Sequence, residues 1–501
     1  MRLPDGWPRL SRCLFFVMGG LLATAFAPYG WYLFAPLLLL PFLYVCLTVA
    51  PRDAGGLTFW FGFGLFLSGT YWIYISVAVF GNVSAWIAVS LTLGVVLIMS
   101  AYLSLTGWLI SRLSYGEPWL LLSVAPASWV MVEWLRGWVL SGFPWLSLGY
   151  SQIDSPLAGW GPVAGVYGIS FALLFSVSAI LVMALTRGKQ RWVALVLVAL
   201  PWIAGGLLKN VAWTDSAGAP IRSTLVQAGI SQDRKWLPEQ LQPTLEFYRA
   251  ATQRVADSEI VVWPEAAIPS VTDRVEPFIA QLHSDAQLWR QTILFGVLER
   301  IQQRGETHTY NSILLVGTDQ RQVYRKRHLV PFGEYFPVPD KVREWLRMMN
   351  LPYSDLSAGD AEQPLLVTAN GVRLALVVCY EDAFGAEQLY AFPDAAIIIN
   401  QSNDAWFGDS IAPHQHLQIA RMRSLEVGRY TIRATNTGIS AFIGPDGKIL
   451  KSGPQFEPLL LTMDVQPRRG ATPYVRGGNM PVIGLCLFIL SLLSIRSRAW
   501  F

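Results

Sequence analysis

Long apolar runs fill the first 208 residues, and short ones replace them afterwards. Cys13–Ala27, Trp31–Ala50, Leu57–Val79, Ala85–Ile110, Trp119–Leu140, Gly161–Thr186 and Trp192–Leu208 are read as membrane-spanning helices, which need ~20 mostly apolar residues. Met480–Ile495 is an eighth. The pattern predicts a polytopic α-helical membrane domain in 1–208, a soluble domain in 209–478, and a last span with its tail in 479–501.

Inside the soluble block the period changes. Ser223–Gln227, Ile260–Trp263, Ile293–Val297, Ile313–Val316, Arg373–Val378 and Ala395–Ile399 read as buried strands. Pro238–Ala256 and Pro413–Gly428 read as helices, each with proline in its first turn. Thr431–Thr435 and Ser440–Ile443 follow, then a Pro445-Asp446-Gly447 turn into Lys448–Lys451. Many continuous apolar strands mixed with helices predict layers, with helices covering two sheets.

Charge follows the same division. Residues 1–208 hold five acids and nine bases, which leaves 29 of the 34 acids and 29 of the 38 bases for the rest. The net charge of +4 thus arises in the membrane part and is no sign of nucleic-acid binding. If all eight segments span, the bases that flank them (Arg2, Arg9, Arg12, Arg52, Arg112, Arg187, Lys189, Arg191, Arg496, Arg498) fall on one side. The positive-inside rule makes that side cytoplasmic, puts both termini there, and turns the soluble block outward. Arg2–Arg12 before an apolar run ending in Ala23-Thr24-Ala25 also resembles a signal peptide. Losing that span would break the charge alternation, so it is read as a span.

Of four cysteines, Cys13, Cys46 and Cys486 lie in apolar spans and only Cys379 in the soluble block, where it has no disulfide partner. Polar residues follow several strands directly. Ile260–Trp263 runs into Pro264-Glu265, Gln322-Val323-Tyr324 into Arg325-Lys326-Arg327-His328, and Leu374–Val378 into Cys379-Tyr380-Glu381. Strand ends of layered α/β folds converge on one cleft. A carboxylate, an amine and a thiol brought there form a nucleophilic site: the acid takes the thiol proton, the ammonium offsets an oxyanion, the thiolate attacks a carbonyl.

Trp263–Pro269, Lys326–Tyr335 and Cys379-Tyr380-Glu381 resemble the Glu, Lys and Cys motifs of the nitrilase superfamily. Their flanks, the Ser402–Gly408 run, Gly142–Trp145, Gly149–Gln152 and the eight spans together resemble the bacterial apolipoprotein N-acyltransferases. The resemblance implies an αββα sandwich on the periplasmic side of the bacterial inner membrane. It implies transfer of the sn-1 acyl chain of a phospholipid, typically phosphatidylethanolamine, to Cys379 as a thioester. The chain then passes to the α-amine of a diacylglyceryl-cysteine on an apolipoprotein, the last step of lipoprotein maturation. The roles implied are general base for Glu265, oxyanion partner for Lys326 and nucleophile for Cys379. Glu334 would position Lys326 or relay protons, Tyr380 and Glu381 would hold the nucleophile loop, and Trp236 would stand near the lipid entrance. Of the three consecutive bases only Lys326 has the family's spacing to His328, and arginine is a poor substitute for a point charge. No cofactor, metal or nucleic acid is expected, and the protein is expected to be a monomer in the bilayer.

Other residues admit plainer readings. His414 and His416 fall on different helix faces without further ligands and are read as structural. Glu133 and Arg136 read as an i, i+3 pair snorkelling to the interface, with lipid headgroup binding as the alternative. Trp129, Trp134, Trp138 and Trp145 read as an interfacial belt. Trp345–Leu351 is too apolar for a solvated loop; Trp345, Met348 and Met349 are read as substrate-binding residues of a lid, with a core helix as the alternative. Two functions compete with acyl transfer. A membrane-anchored amidase using water would need no lipid path, and a non-catalytic lipoprotein-binding factor would not need an intact triad.

Overall fold

The computed structural model describes residues 7–114, 116–303, 305–335 and 355–498. The chain forms two compact units. One holds the residues up to Tyr74, Ala85–Ala212, and the chain from Thr472 on; the other holds Ile75–Ser84 and Trp213–Ala471.

The first unit is helical. Ala85–Ser114, Pro118–Arg136, Pro156–Leu185 and Lys189–Leu208 are long and apolar enough to cross a membrane. Pro51–Thr70 and Trp72–Phe80, bent by 47° at their junction, make a fifth if they are one span. The remaining expected spans are helices too, but short: Trp7–Leu22 has 16 residues and Phe34–Thr48 has 15. At 1.5 Å per residue these reach about 24 Å, short of a ~30 Å hydrocarbon core. Met480–Ile495 is likewise a short apolar helix. Small residues let helices approach closely: a Cβ on Gly19 would overlap the Phe61 carbonyl, and one on Gly64 the Phe16 carbonyl.

The Glu133–Arg136 pair does not snorkel. Both residues are buried inside this unit, 4.0 Å apart. Glu133 accepts from the Leu148 N–H at 2.6 Å and from Ser170 Oγ at 2.8 Å, while Arg136 donates to the Phe143 and Trp145 carbonyls and to Ser147 Oγ. The irregular Phe143–Leu148 segment cannot satisfy its own backbone, and the pair does it instead. Trp129 and Trp145 are core residues at 4% and 2% exposure, whereas Trp138 is exposed, so no common belt unites the four tryptophans.

The second unit is an αββα sandwich. One sheet runs Leu459–Val465, Ile221–Gln227, Ile260–Val262, Thr292–Gln303, Glu306–Val316, Gln322–Arg325, with Ile268–Val271 also paired to Thr292–Gln303. The other runs Ile449–Ser452, Ala441–Ile443, Tyr430–Thr435, Ile397–Ser402, Arg373–Val378, Leu366–Val367. Alternation along each strand assigns its two faces. Leu225, Val262, Leu294, Leu374, Leu376 and Ile399 meet between the sheets. On the outer face of the first sheet Val261, Trp263 and Ile293 pack under Tyr248, Ile279 and Leu282 of the helices Pro238–Gln253 and Thr272–Trp289. Leu417 and Ala420 of the helix Ala412–Val427 cover Ala441 and Ile443 on the far side. The central strands are parallel, so the ends of Ile260–Val262 and Arg373–Val378 can each deliver a polar residue to a cleft.

Candidate active site

Cys379 follows the Arg373–Val378 strand with a φ of +51°. A side-chain-bearing residue in the left-handed region is strained, and the strain persists only where the surroundings fix it. The Glu381 carboxylate accepts from the Val378 N–H at 2.7 Å, and His416 Nε2 donates to the Cys379 carbonyl at 3.1 Å. Glu381 also accepts from the Arg327 N–H at 2.7 Å, the His328 N–H at 3.3 Å and Tyr324 Oη at 3.0 Å. It therefore ties the turn carrying the thiol to the segment carrying Lys326. Tyr380 packs edge-on against Phe384, with ring centroids 5.1 Å apart.

Glu265 stands just past the Ile260–Val262 strand, in a turn where Ala266 has a φ of +44°. The turn crosses the neighbouring strand at Gly296, where a Cβ would overlap the Ala266 nitrogen and press on the Pro264 carbonyl. Lys326 leaves the Gln322–Arg325 strand with its N–H donating to the Asn311 carbonyl at 2.8 Å. Successive residues of an extended segment point to opposite sides. Arg325 makes a two-pronged bond to Glu299 at 2.7 and 3.1 Å, while Lys326, 1% exposed, reaches the site's carboxylates.

Lys326 Nζ lies 2.9 Å from Glu334 and 3.5 Å from Glu265 Oε1. Asn311 Nδ2 bridges the same two acids at 2.8 Å to Glu265 and 3.1 Å to Glu334. The second Glu334 oxygen accepts from the Val330 N–H at 2.8 Å. The second Glu265 oxygen has no hydrogen bond among the described residues. Burial works against the Lys326 ammonium, but Glu334 and Glu265 overcome it and hold the amine above its ordinary range. Burial also pushes the Cys379 thiol well up, reinforced by the Glu265 charge and opposed by Lys326. The thiol is therefore protonated at neutral pH and needs a base.

A second charged network also reaches Cys379. His416 Nδ1 donates to Asp404 Oδ1 at 2.7 Å, and Arg433 donates to Asp404 Oδ2 at 3.0 Å and to Asp382 Oδ2 at 3.1 Å. The Cys379 sulfur, an Asp404 oxygen and a His416 nitrogen lie within 4.8 Å of one another, a spacing that a metal could bridge. Both Asp404 oxygens already hold hydrogen bonds, and a metal would have to displace Arg433 or His416 to bind there.

Glu265, Lys326 and Glu334 thus share direct bonds, and Cys379 lies within reach of their charges. Trp236 is 44% exposed and shows no bond to them, whereas the preceding Lys235 is buried and donates to the Glu265 carbonyl at 3.1 Å. Trp345, Met348 and Met349 lie outside the described residues. Sequence reasoning missed Asn311, Lys235, Asp404 and Arg433, and it left His416 with no part in the site. Asn311 gave a faint signal as a polar residue leading into the apolar run Ile313–Val316; the others gave none.

Four layers with a carboxylate, an ammonium and a thiol at converging strand ends are the build of a carbon-nitrogen hydrolase, and residues 222–474 match that family's model. Residues 18–179 match a second model, the apolipoprotein N-acyltransferase N-terminal domain. Relatives carry both parts in one chain. Proteins named apolipoprotein N-acyltransferase from Methylococcus capsulatus and Azotobacter vinelandii are 40% identical over 482 residues and 41% over 507. The alignments cover 96% and 99% of this chain, and 95% and 96% of those proteins. A third, from Pseudomonas aeruginosa, is 38% identical over 97% of this chain and 95% of its own. The chain belongs to the apolipoprotein N-acyltransferase family.

Proposed function

We propose that this chain moves an acyl chain from a phospholipid to the α-amine of a diacylglyceryl-cysteine on apolipoproteins, through a thioester on Cys379. The observation that carries the reading is Glu265: one oxygen is engaged by Asn311 and Lys326, and the other has no hydrogen bond among the described residues, near a thiol that burial keeps protonated. Glu265 takes the Cys379 proton as sulfur attacks the sn-1 ester carbonyl, and Lys326 offsets the charge on the tetrahedral oxygen. Collapse breaks the ester C–O bond, and Glu265 returns the proton to the departing lysophospholipid oxygen. In the second half the α-amine attacks the thioester, Glu265 takes the amine's proton, and the thiolate leaves and is reprotonated. Glu334 keeps Lys326 charged and aimed, and Glu381 with Tyr380 keeps the nucleophile turn in place.

In this reading all eight apolar helices span the bacterial inner membrane, the sandwich lies on the periplasmic side, and both termini are cytoplasmic. Residues 209–478 serve as the catalytic domain of a monomer that draws its donor, typically phosphatidylethanolamine, from the bilayer. Trp236 is placed at the lipid entrance. Hydrolysis with water as acceptor is not favoured, given relatives of this name along nearly the whole chain.

The test is mass spectrometry of the protein incubated with phosphatidylethanolamine alone. An acyl-sized adduct on Cys379, discharged to a diacylated peptide amine as an amide, is expected. Steady release of free fatty acid with no amide would overturn the reading in favour of a hydrolase.

A further inference from the structure

Several buried acids of the sandwich each meet a basic side chain, as Glu426 meets Arg423 at 3.1 Å. Glu381 is matched by Arg327, 4.0 Å away. Asp382 and Asp404 both accept from Arg433, and Asp404 also bonds His416. Among the described residues Glu265 and Glu334 share one ion-pair partner, Lys326, two negative charges against one positive. A buried site with that surplus resists forming a thiolate, because each further negative charge must be desolvated beside others.

Lys235 supplies the missing charge. Its residue is 2% exposed although Trp236 beside it is 44% exposed, so the chain turns the long amine inward and the large apolar ring outward. Lysine is almost never fully buried without a partner. Its Nζ donates to the Glu265 carbonyl at 3.1 Å, and the Glu265 carboxylate and Cys379 both act on its charge. The helical turn that carries it is itself anchored, Gln232 accepting from Asn403 Nδ2 at 3.0 Å.

We infer that Lys235 is a positioning residue of the site: it clamps the Glu265 turn through its carbonyl, and its ammonium makes the Glu265–Glu334–Lys326–Lys235 cluster neutral. When Glu265 takes the Cys379 proton, the thiolate left behind then feels two ammonium groups, Lys326 and Lys235, in place of one. Burial lowers the Lys235 amine to about 8 against the pull of Glu265 and Cys379, so it is charged at pH 7 and loses that charge above about 8. As to what the thiolate attacks, the inference rests on the acyl-transfer reading; the charge balance does not.

The experiment is alkylation of Cys379 by iodoacetamide in the full-length protein in detergent, read by mass as a function of pH. The groups around the sulfur are Glu265, Lys326, Asp404, Glu334 and His416, and all are left intact in the single variants. Lys235→Met should slow alkylation at pH 7 about tenfold, and the difference should vanish above about pH 8, where the wild-type amine has lost its charge. Lys235→Gln, shorter and polar, should slow it likewise and serves if the methionine variant does not fold. An unchanged profile in either folded variant overturns the inference. A slowing of the same size at pH 7 and above pH 8 reduces Lys235 to a clamp and also overturns it. Iodoacetamide needs no lipid, so a wild-type protein that fails to form an acyl adduct from phosphatidylethanolamine defeats the functional reading without touching this one.

Discussion

Two buried acid–base pairs, one in each unit, differ in what they leave unbonded. Glu133 and Arg136 are saturated: the acid binds Leu148, Ser170 and Trp129, and the guanidinium binds three groups of the Phe143–Ser147 segment. Glu265 and Lys326 are not. The lysine is held by two acids, but one Glu265 oxygen has no partner among the described residues. An acid with both oxygens engaged, as in Glu133, holds structure, since taking a proton would break its bonds. A pair with a spare oxygen beside a protonated thiol can accept a proton at little cost. Burial and charge pairing alone do not mark a site; an incomplete bonding pattern does.

Four substitutions break or sharpen that contrast. Cys379→Ser should lower acyl transfer by roughly 10³-fold or more while leaving both units folded, because a serine hydroxyl is far harder to ionise. Single-turnover acylation by the purified variant at the wild-type rate would reassign the nucleophile. Glu265→Gln should slow thioester formation by about 10²–10⁴-fold, the usual worth of a general base, with little loss of stability. Acyl-enzyme accumulating at a normal rate in that variant would move the base to Glu334.

Glu133→Gln should do the reverse. Leaving Arg136 buried without its counter-charge costs about 3–5 kcal/mol, visible as a lowered melting temperature, whereas the folded fraction keeps a wild-type rate of Cys379 acylation. A slowed reaction in folded protein would show that the two pairs are not separable.

The smallest effect concerns Asp404. Burial opposes its charge, yet His416 and Arg433 overcome this and hold the carboxyl below its ordinary 3.8. A carboxyl depressed in the folded state stabilises above its unfolded value, and that stability fades as pH falls through the folded one, because there the unfolded chain binds more protons. The stability gap between wild type and Asp404→Asn, measured by urea unfolding, should therefore narrow as pH drops below about 3.8. A gap independent of pH would mean that Asp404 acts through shape rather than charge.

Much of this molecule is legible in one dimension because its causes are local. Apolar run length located the long helices of the first unit, and short continuous apolar runs located the central strands, Arg373–Val378 to the residue. The hairpin of Thr292–Gln303 and Glu306–Val316 was under-read because its outer half is polar and pays no burial signal into the pattern. Glu265, Lys326 and Cys379 stood out as polar residues at the ends of apolar strands, a signal that needs no partner. Whether an acid is spent or available does need one. Asn311 reaches Glu265 across 46 positions and His416 reaches Cys379 across 37, and Lys235 turns inward while Trp236 turns out. Hydrophobic pattern depends on each residue's own transfer from water, so the sequence alone determined layers, helices and strand ends. Saturation and charge balance depend on which side chains meet after folding, so only the tertiary structure decided that one buried pair is finished and the other is free to react.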